Sequence, residues 1–264
     1  MLYLTPGITI YILTIAFILG AVFASFLGCM GWRICKGESV LKGRSHCDSC
    51  GHSLGWRDLI PILSYLARKG RCAYCKQPIP KMSLYGELLL AVVFVLTTMQ
   101  YDITWKLVLM LFFICVLYLI SVTDIYEQII PDSCLVTAIM VRLLYFFVFE
   151  KVSVSSILGL IGNGLLISLP MLLLVLIMEK IKQMEVMGGG DIKLLFVMGI
   201  YLGWANNLLA LFIGCVTAIV VTCVKQKKDG ENAYIAFGPF LAAGAVFAAI
   251  AGDRIITWYL SLFY

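Results

Sequence analysis

Eight stretches of the chain are apolar for most of their length, and nothing else in the sequence constrains the fold as strongly. They fall at Thr9–Trp32, Leu84–Met99, Trp105–Val122, Pro131–Phe149, Val154–Met178, Ile192–Trp204, Leu208–Val224 and Phe237–Ala251. A bilayer core of ~30 Å takes roughly 20 residues of helix at ~1.5 Å each, so several of these runs can cross one. Only helices and closed barrels satisfy their own backbone hydrogen bonds in lipid, and the runs lack the alternation of barrel strands. Over 264 residues, 62% are hydrophobic and 13% charged, which excludes an ordinary soluble domain. The expected fold class is an all-α polytopic membrane protein with about eight transmembrane helices. The run before Trp204 is short and the last one can extend through Ile255 and Ile256, so seven and nine remain open.

The basic residues are distributed asymmetrically. Arg33, Lys36, Lys42, Arg44, Arg57, Arg68, Lys69, Arg71, Lys76 and Lys81 lie in the loop after the first run. With the N-terminus outside, Lys180, Lys182, Lys193, Lys225, Lys227 and Lys228 share that face, which makes sixteen of the twenty basic residues. The excess of positive charge assigns this face to the cytoplasm. The first run lacks a basic start and ends in Gly31-Trp32-Arg33, so it is expected to be a retained span.

Polarity rises sharply over residues 33–82, and four cysteines fall there as two CxxC pairs, Cys47/Cys50 and Cys72/Cys75. Each pair can turn two thiolates toward one point, and two such turns complete a tetrahedral zinc site. About fifty polar residues bury too little apolar surface to fold easily alone, which gives a structural metal a physical purpose. Two disulfides or four free thiols are the alternatives, and a reducing cytoplasm disfavours the first. His46 and His52 flank the first pair and are expected beside the site rather than in it. The other six cysteines, in or near spans, are expected to be small packing residues.

Carboxylates inside a membrane are costly and point to function. Glu150, Glu179, Glu185, Asp229, Glu231 and Asp253 are expected to be solvated at loops or interfaces. Asp124 closes the third run and Asp191 opens the sixth, after Gly188-Gly189-Gly190, so both belong to the cytoplasmic ends of their spans. Two carboxylates held within a few ångströms cannot both ionise, and such a pair supplies one acid and one base, the chemistry of an aspartic protease. Three consecutive glycines are poor helix interior but leave backbone free to unwind, or to approach a substrate strand, at a helix start. The bland readings are a glycine-rich turn with an ordinary first-turn Asp191, a snorkelling Lys193, and Asp132 as a first-turn residue after Pro131.

Taken together, these elements resemble the type IV prepilin peptidases, the bifunctional leader peptidase/N-methyltransferase family of GxGD membrane proteases. Gly188-Gly189-Gly190-Asp191-Ile192-Lys193 matches the family's GxGDxK element, and Asp124 followed by Pro131-Asp132 matches its first aspartate. The insert matches through its CxxC pairs, Trp56, Ile60-Pro61, Gly70-Arg71-Cys72 and Glu87, and Ser25-Phe26-Leu27, Arg33 and the "FGPF" at 237–240 resemble further family patterns. Gly28 departs from the asparagine that many members carry after Ser-Phe-Leu.

The resemblance implies an endopeptidase of the bacterial inner membrane that removes the basic leader of type IV prepilins or pseudopilins after a glycine. It also implies methylation of the new N-terminal amine with S-adenosylmethionine. Asp124 and Asp191 take the catalytic roles, with Gly188, Gly189, Gly190 and Lys193 supporting; Cys47, Cys50, Cys72 and Cys75 would hold a structural zinc. No residue is assigned to the methyl donor, no nucleic-acid partner is expected, and oligomeric state is open. The expected division is a first transmembrane helix (1–32), a cytoplasmic zinc-binding insert (33–82) and a protease core (83–264). Two rival readings are an ion-coupled transporter using the paired aspartates, although no inverted repeat is evident, and a zinc-stabilised scaffold without activity.

Overall fold

The computed structural model describes residues 5–39, 43, 45–47, 49–184, 187–229 and 236–263, without the side chains of 226–229. Lys42, Arg44, Asp48, Glu185 and Glu231 of the sequence reading lie outside the described residues, as do the side chains of Lys227, Lys228 and Asp229. The described residues contain no strand, only two isolated bridges, His46 with Ser53 and Arg71 with Pro78. The helices are α1 (Pro6–Lys36), α2 (Leu63–Ala67), α3 (Lys81–Tyr101), α4 (Trp105–Glu127), α5 (Asp132–Phe149), α6 (Val154–Lys182), α7 (Gly189–Leu202), α8 (Trp204–Asp229), α9 (Gly238–Phe247) and α10 (Asp253–Leu260).

Seven helical segments among the described residues are long and apolar enough to cross a membrane. α9, a π-helical turn at Ala248–Gly252 and α10 run on as one of them, Gly238–Leu260, nine residues beyond the end read from the sequence. The sixth stretch became α7, which has 14 residues and so a length of ~21 Å, short of a full bilayer core.

The chain forms two compact units, residues 1–111 and 112–264. In the first, α1 lies along α3. Pro6 opens α1, where a missing N–H costs nothing, and Gly37 closes it in the left-handed region (φ 68), its N–H capping the Arg33 and Ile34 carbonyls. Small residues (Ala16, Gly20, Ala21, Ala24) face Leu90, Ala91 and Phe94 and let the backbones approach: a Cβ on Gly20 would come within 2.7 Å of Ala91 Cα.

In the second unit α7 is the centre, packed by α5, α6, α8 and α9. Leu194, Leu195, Val197, Met198 and Ile200 are buried, and the Tyr201 ring stacks on Phe113 with centroids 4.1 Å apart. A helix apolar around most of its circumference belongs in a core, which is why α7 sits innermost among these helices. Polar ties fix its far end. Tyr201 donates to the Ala138 carbonyl at 2.8 Å, and Asn207 Nδ2 to the Leu195 carbonyl at 3.0 Å. Arg142, a basic residue in the interior of a run, donates through Nε to the Ile200 carbonyl at 2.9 Å and pairs with Glu150 at 2.8 Å. Glu150, exposed at the end of α5 as expected, is also the counter-charge that makes an arginine tolerable there.

Because successive helices reverse direction, the ends of α4, α6 and α8 and the starts of α5, α7 and α9 share one end of this unit.

Candidate active site and metal centre

Asp124 stands three residues before the end of α4 and is buried, 6% exposed. There the Gln128 N–H caps the Asp124 carbonyl at 3.0 Å, and Gln128 itself, at φ 55, reverses the chain. The reversal carries Ile130 and Asp132 back toward the start of α7. Asp132 pairs with Lys193 at 2.7 Å, so neither is solitary as the bland reading had them, although both are largely exposed and such a pair contributes about 0–1 kcal/mol.

Gly188 is extended (φ −61, ψ 134) and serves as the N-terminal cap, while Gly189 and Gly190 already belong to the first turn of α7. The glycines stand at a helix start as expected, and their separate uses are visible. A Cβ on Gly190 would lie 3.0 Å from Ile130 Cβ, so this position lets the α4–α5 turn pack against α7. Gly189 has open space where a Cβ would be. Asp191 follows in the first turn, where the unpaired N–H groups of a helix favour a carboxylate.

The fold places the two carboxylates within electrostatic reach of each other, although 67 positions separate them in the sequence. Asp191 Oδ1 is buried without a hydrogen-bond partner among the described residues, whereas Asp124 Oδ2 accepts the Gly238 N–H at 2.8 Å. A buried carboxylate oxygen lacking a partner is expensive in a purely structural role and useful in one that handles protons. Gly238, noticed in the sequence only as part of "FGPF", thus reaches one member of the pair; no spacing rule links it to Asp124, 114 positions away.

The four cysteines of the insert also converge. Their sulfurs all lie within 4.8 Å of one another, and Cys47 Sγ is 3.8 Å from Cys75 Sγ. A tetrahedral site with ~2.3 Å zinc–sulfur bonds has sulfur–sulfur edges of ~3.8 Å, so the donor set and its spacing fit zinc. The insert is two copies of one turn. Cys47 N–H donates to the His52 carbonyl and Cys72 N–H to that of Gln77, while Gly51 and Lys76 return their N–H groups to the carbonyls of Cys47 and Cys72. Gly51 and Lys76, each just after the second cysteine of its pair, are both left-handed (φ 67 and 61). None of the ten cysteines forms a disulfide. Backbone amides of Cys75 and Tyr74 hold the Cys72 thiol down at about 7, whereas, against the Gln77 amide, burial and the neighbouring thiols push Cys75 up to about 11.

Neither histidine belongs to the cluster: His52 stacks on Tyr74 with centroids 3.6 Å apart, and His46 meets Trp32 edge-on. Tyr74 donates to Asp58 at 3.3 Å, and Asp58 also accepts the Gly55 N–H at 2.8 Å and pairs with Arg68. The Gly55 amide first, and then Arg68 and Tyr74, hold the Asp58 carboxyl below its ordinary range. Glu87, buried in α3, accepts the Ile62 N–H at 2.7 Å, fastening the insert to the helix that follows it.

Comparison with known proteins matches both parts of the chain. Residues 18–101 match the bacterial peptidase A24 N-terminal domain and residues 111–223 the type IV leader peptidase family. A prepilin leader peptidase/N-methyltransferase of Bacillus subtilis (strain 168) is 32% identical over 254 residues, covering 95% of this chain and 98% of that protein. Proteins of the same description from Pseudomonas aeruginosa (29%, 82% of this chain and 74% of the relative) and Aeromonas hydrophila (30%, 85% and 77%) are also similar. No solved structure matches.

Proposed function

The chain belongs to the prepilin leader peptidase/N-methyltransferase family, and we propose that Asp124 and Asp191 are the dyad with which it cuts prepilins. It is a multi-pass membrane endopeptidase that removes prepilin leaders and N-methylates the new terminus. Nothing favours the transporter reading. The observation that carries the dyad is a buried Asp191 Oδ1 with no hydrogen-bond partner among the described residues, at the start of α7 and within electrostatic reach of Asp124 at the end of α4.

The chemistry follows from two carboxyl groups sharing one proton. The unprotonated member takes a proton from water, whose oxygen attacks the scissile carbonyl carbon, while the protonated member gives its proton to the carbonyl oxygen. Collapse of the tetrahedral adduct breaks the C–N bond, and the proton taken from water passes to the leaving amine. The pair titrates as a unit, so acid and base describe its two states rather than fixed residues. Gly189, open at the helix start, leaves room for substrate backbone, and Gly188, Gly190 and Lys193 hold the helix start against the α4–α5 turn. A prepilin joins a basic leader to an apolar helix, so the bond to be cut lies at the membrane interface, as the charge distribution places this site.

We assign residues 1–32 as the first span, 33–82 as the insert, whose four cysteines hold a structural zinc, and 83–264 as the protease core. The insert and the dyad then face the cytoplasm, with the N-terminus outside. S-adenosylmethionine is the methyl donor and, when bound, supplies an electrophilic methyl group to the uncharged α-amine of the cut pilin. Type IV prepilins or pseudopilins are the substrates.

The test is incubation of Asp124→Asn and Asp191→Asn variants with a prepilin and labelled S-adenosylmethionine, followed by mass spectrometry of the product N-terminus. Each variant is expected to leave the leader attached while still methylating a pre-cut pilin. Full leader removal by either folded variant would end the dyad reading.

A further inference from the structure

Resting on the dyad reading, we infer that Gly238 is a positioning residue for the protease: its backbone N–H fixes the Asp124 carboxylate for reaction, and its lack of a side chain makes that contact possible.

The hydrogen-bond accounting of the α9 start supports this. The first N–H groups of a helix have no partner within it. Here Pro239 has no N–H, and the amides of Phe240 and Leu241 return to the Phe237 carbonyl at 3.0 and 3.2 Å. Gly238 alone of these sends its N–H outward, to Asp124 Oδ2 at 2.8 Å, in a buried setting. A Cβ at this position would come within 2.7 Å of that same oxygen and 3.2 Å of Asp124 Cγ, so every other residue would push the carboxylate away from the amide. Proline at 239 adds a second constraint, because it crowds the Cβ of any non-glycine residue before it in helical conformation.

The consequence for the chemistry is geometric. A charge-assisted bond to a backbone amide removes one rotational choice from the Asp124 side chain and commits Oδ2, while Asp191 Oδ1 has no partner among the described residues. One member of the dyad is thus held by the fold, and the other keeps an oxygen available for proton exchange. Misplacing a reacting group by ~1 Å costs about 100-fold in rate, and a carboxylate displaced by a methyl group falls in that range.

The test combines kinetics with a direct view of the amide. Gly238→Ala in the full chain is expected to lower kcat for leader removal by about 100-fold with KM changed less than about threefold, because the dyad and not the substrate contact is disturbed. An unchanged kcat, or a raised KM with kcat kept, would overturn the inference. Phe237-Gly238 is the only Phe-Gly pair in the sequence, so carbonyl-13C phenylalanine with 15N glycine labels a single amide. Its proton resonance is expected to move upfield in Asp124→Asn, which keeps the side-chain shape and removes the charge; an unmoved resonance would refute the contact even if Gly238→Ala did not fold. Activity in Asp124→Asn would remove the dyad reading itself, whereas an inactive Asp124→Asn beside a fully active Gly238→Ala would remove only the role of Gly238.

Discussion

Replacing Cys72 with serine takes one thiolate from the cluster of four, and the structure indicates how much order depends on it. Among the described residues between α1 and α3, Cys72 is the only hydrophobic side chain that is buried, while Trp56, Leu63 and Leu66 are exposed. A segment with so little buried apolar surface has almost no hydrophobic stabilisation of its own, so its order rests on hydrogen bonds and on metal. Structural zinc contributes ~10–16 kcal/mol in small domains. Losing one of four ligands should therefore cost about 3–4 kcal/mol, or roughly 100- to 1,000-fold in affinity. The assay is zinc content of the purified protein after dialysis against a chelator, followed by limited trypsin digestion, for which the insert offers Arg57, Arg68, Lys69, Arg71 and Lys76. The parent should keep about one zinc per chain and resist cutting, as should a Cys115→Ser control whose thiol lies in a span. Cys72→Ser should lose the metal and be cut within the insert while its transmembrane helices persist. A Cys72→Ser protein that keeps about one zinc through the same dialysis and resists trypsin would refute the argument.

Arg142→Ala should lower stability by about 2–4 kcal/mol, since it leaves the Ile200 carbonyl and Glu150 without their partner; a thermal midpoint in detergent within a degree of the parent would contradict this. Gly190→Ala should lower the thermal midpoint because its methyl group meets Ile130, whereas Gly189→Ala, which meets nothing, should leave it unchanged or raise it by up to ~1 kcal/mol of helix propensity. If Gly189 borders the substrate, the same Gly189→Ala variant should raise KM for prepilin without any loss of stability. Glu87→Gln should loosen the Ile62 turn and expose the insert to trypsin while leaving leader removal by the dyad in place, a split read by digestion beside a cleavage gel.

Much of the site could be read without coordinates. Asp124 and Asp191 stand out because carboxylates beside long apolar runs are rare, and four cysteines in two CxxC pairs have the spacing of a metal site. The partners of these groups were less legible. Gly238, Ile130, Asp132 and Glu150 carry no signal tying them to their contacts, because hydrogen bonds and van der Waals packing act between residues far apart in the chain. The innermost place of α7 was equally hidden: an apolar stretch of 14 residues reads the same whether lipid or other helices surround it.

By itself the sequence determined that this is a helical membrane protein, how unevenly its basic residues are distributed along the chain, where a cysteine-rich insert interrupts it, and which acidic residues are candidates for chemistry. Those properties follow from hydropathy, charge and short-range spacing, and each is local. Only the tertiary structure decided that Asp124 and Asp191 lie within electrostatic reach of each other, that the Gly238 amide reaches Asp124, that Arg142 is neutralised by Glu150, and that the two CxxC turns close on one point. Each depends on the distance between segments remote in sequence, and such distances are set by how helices pack against one another, which no single segment encodes.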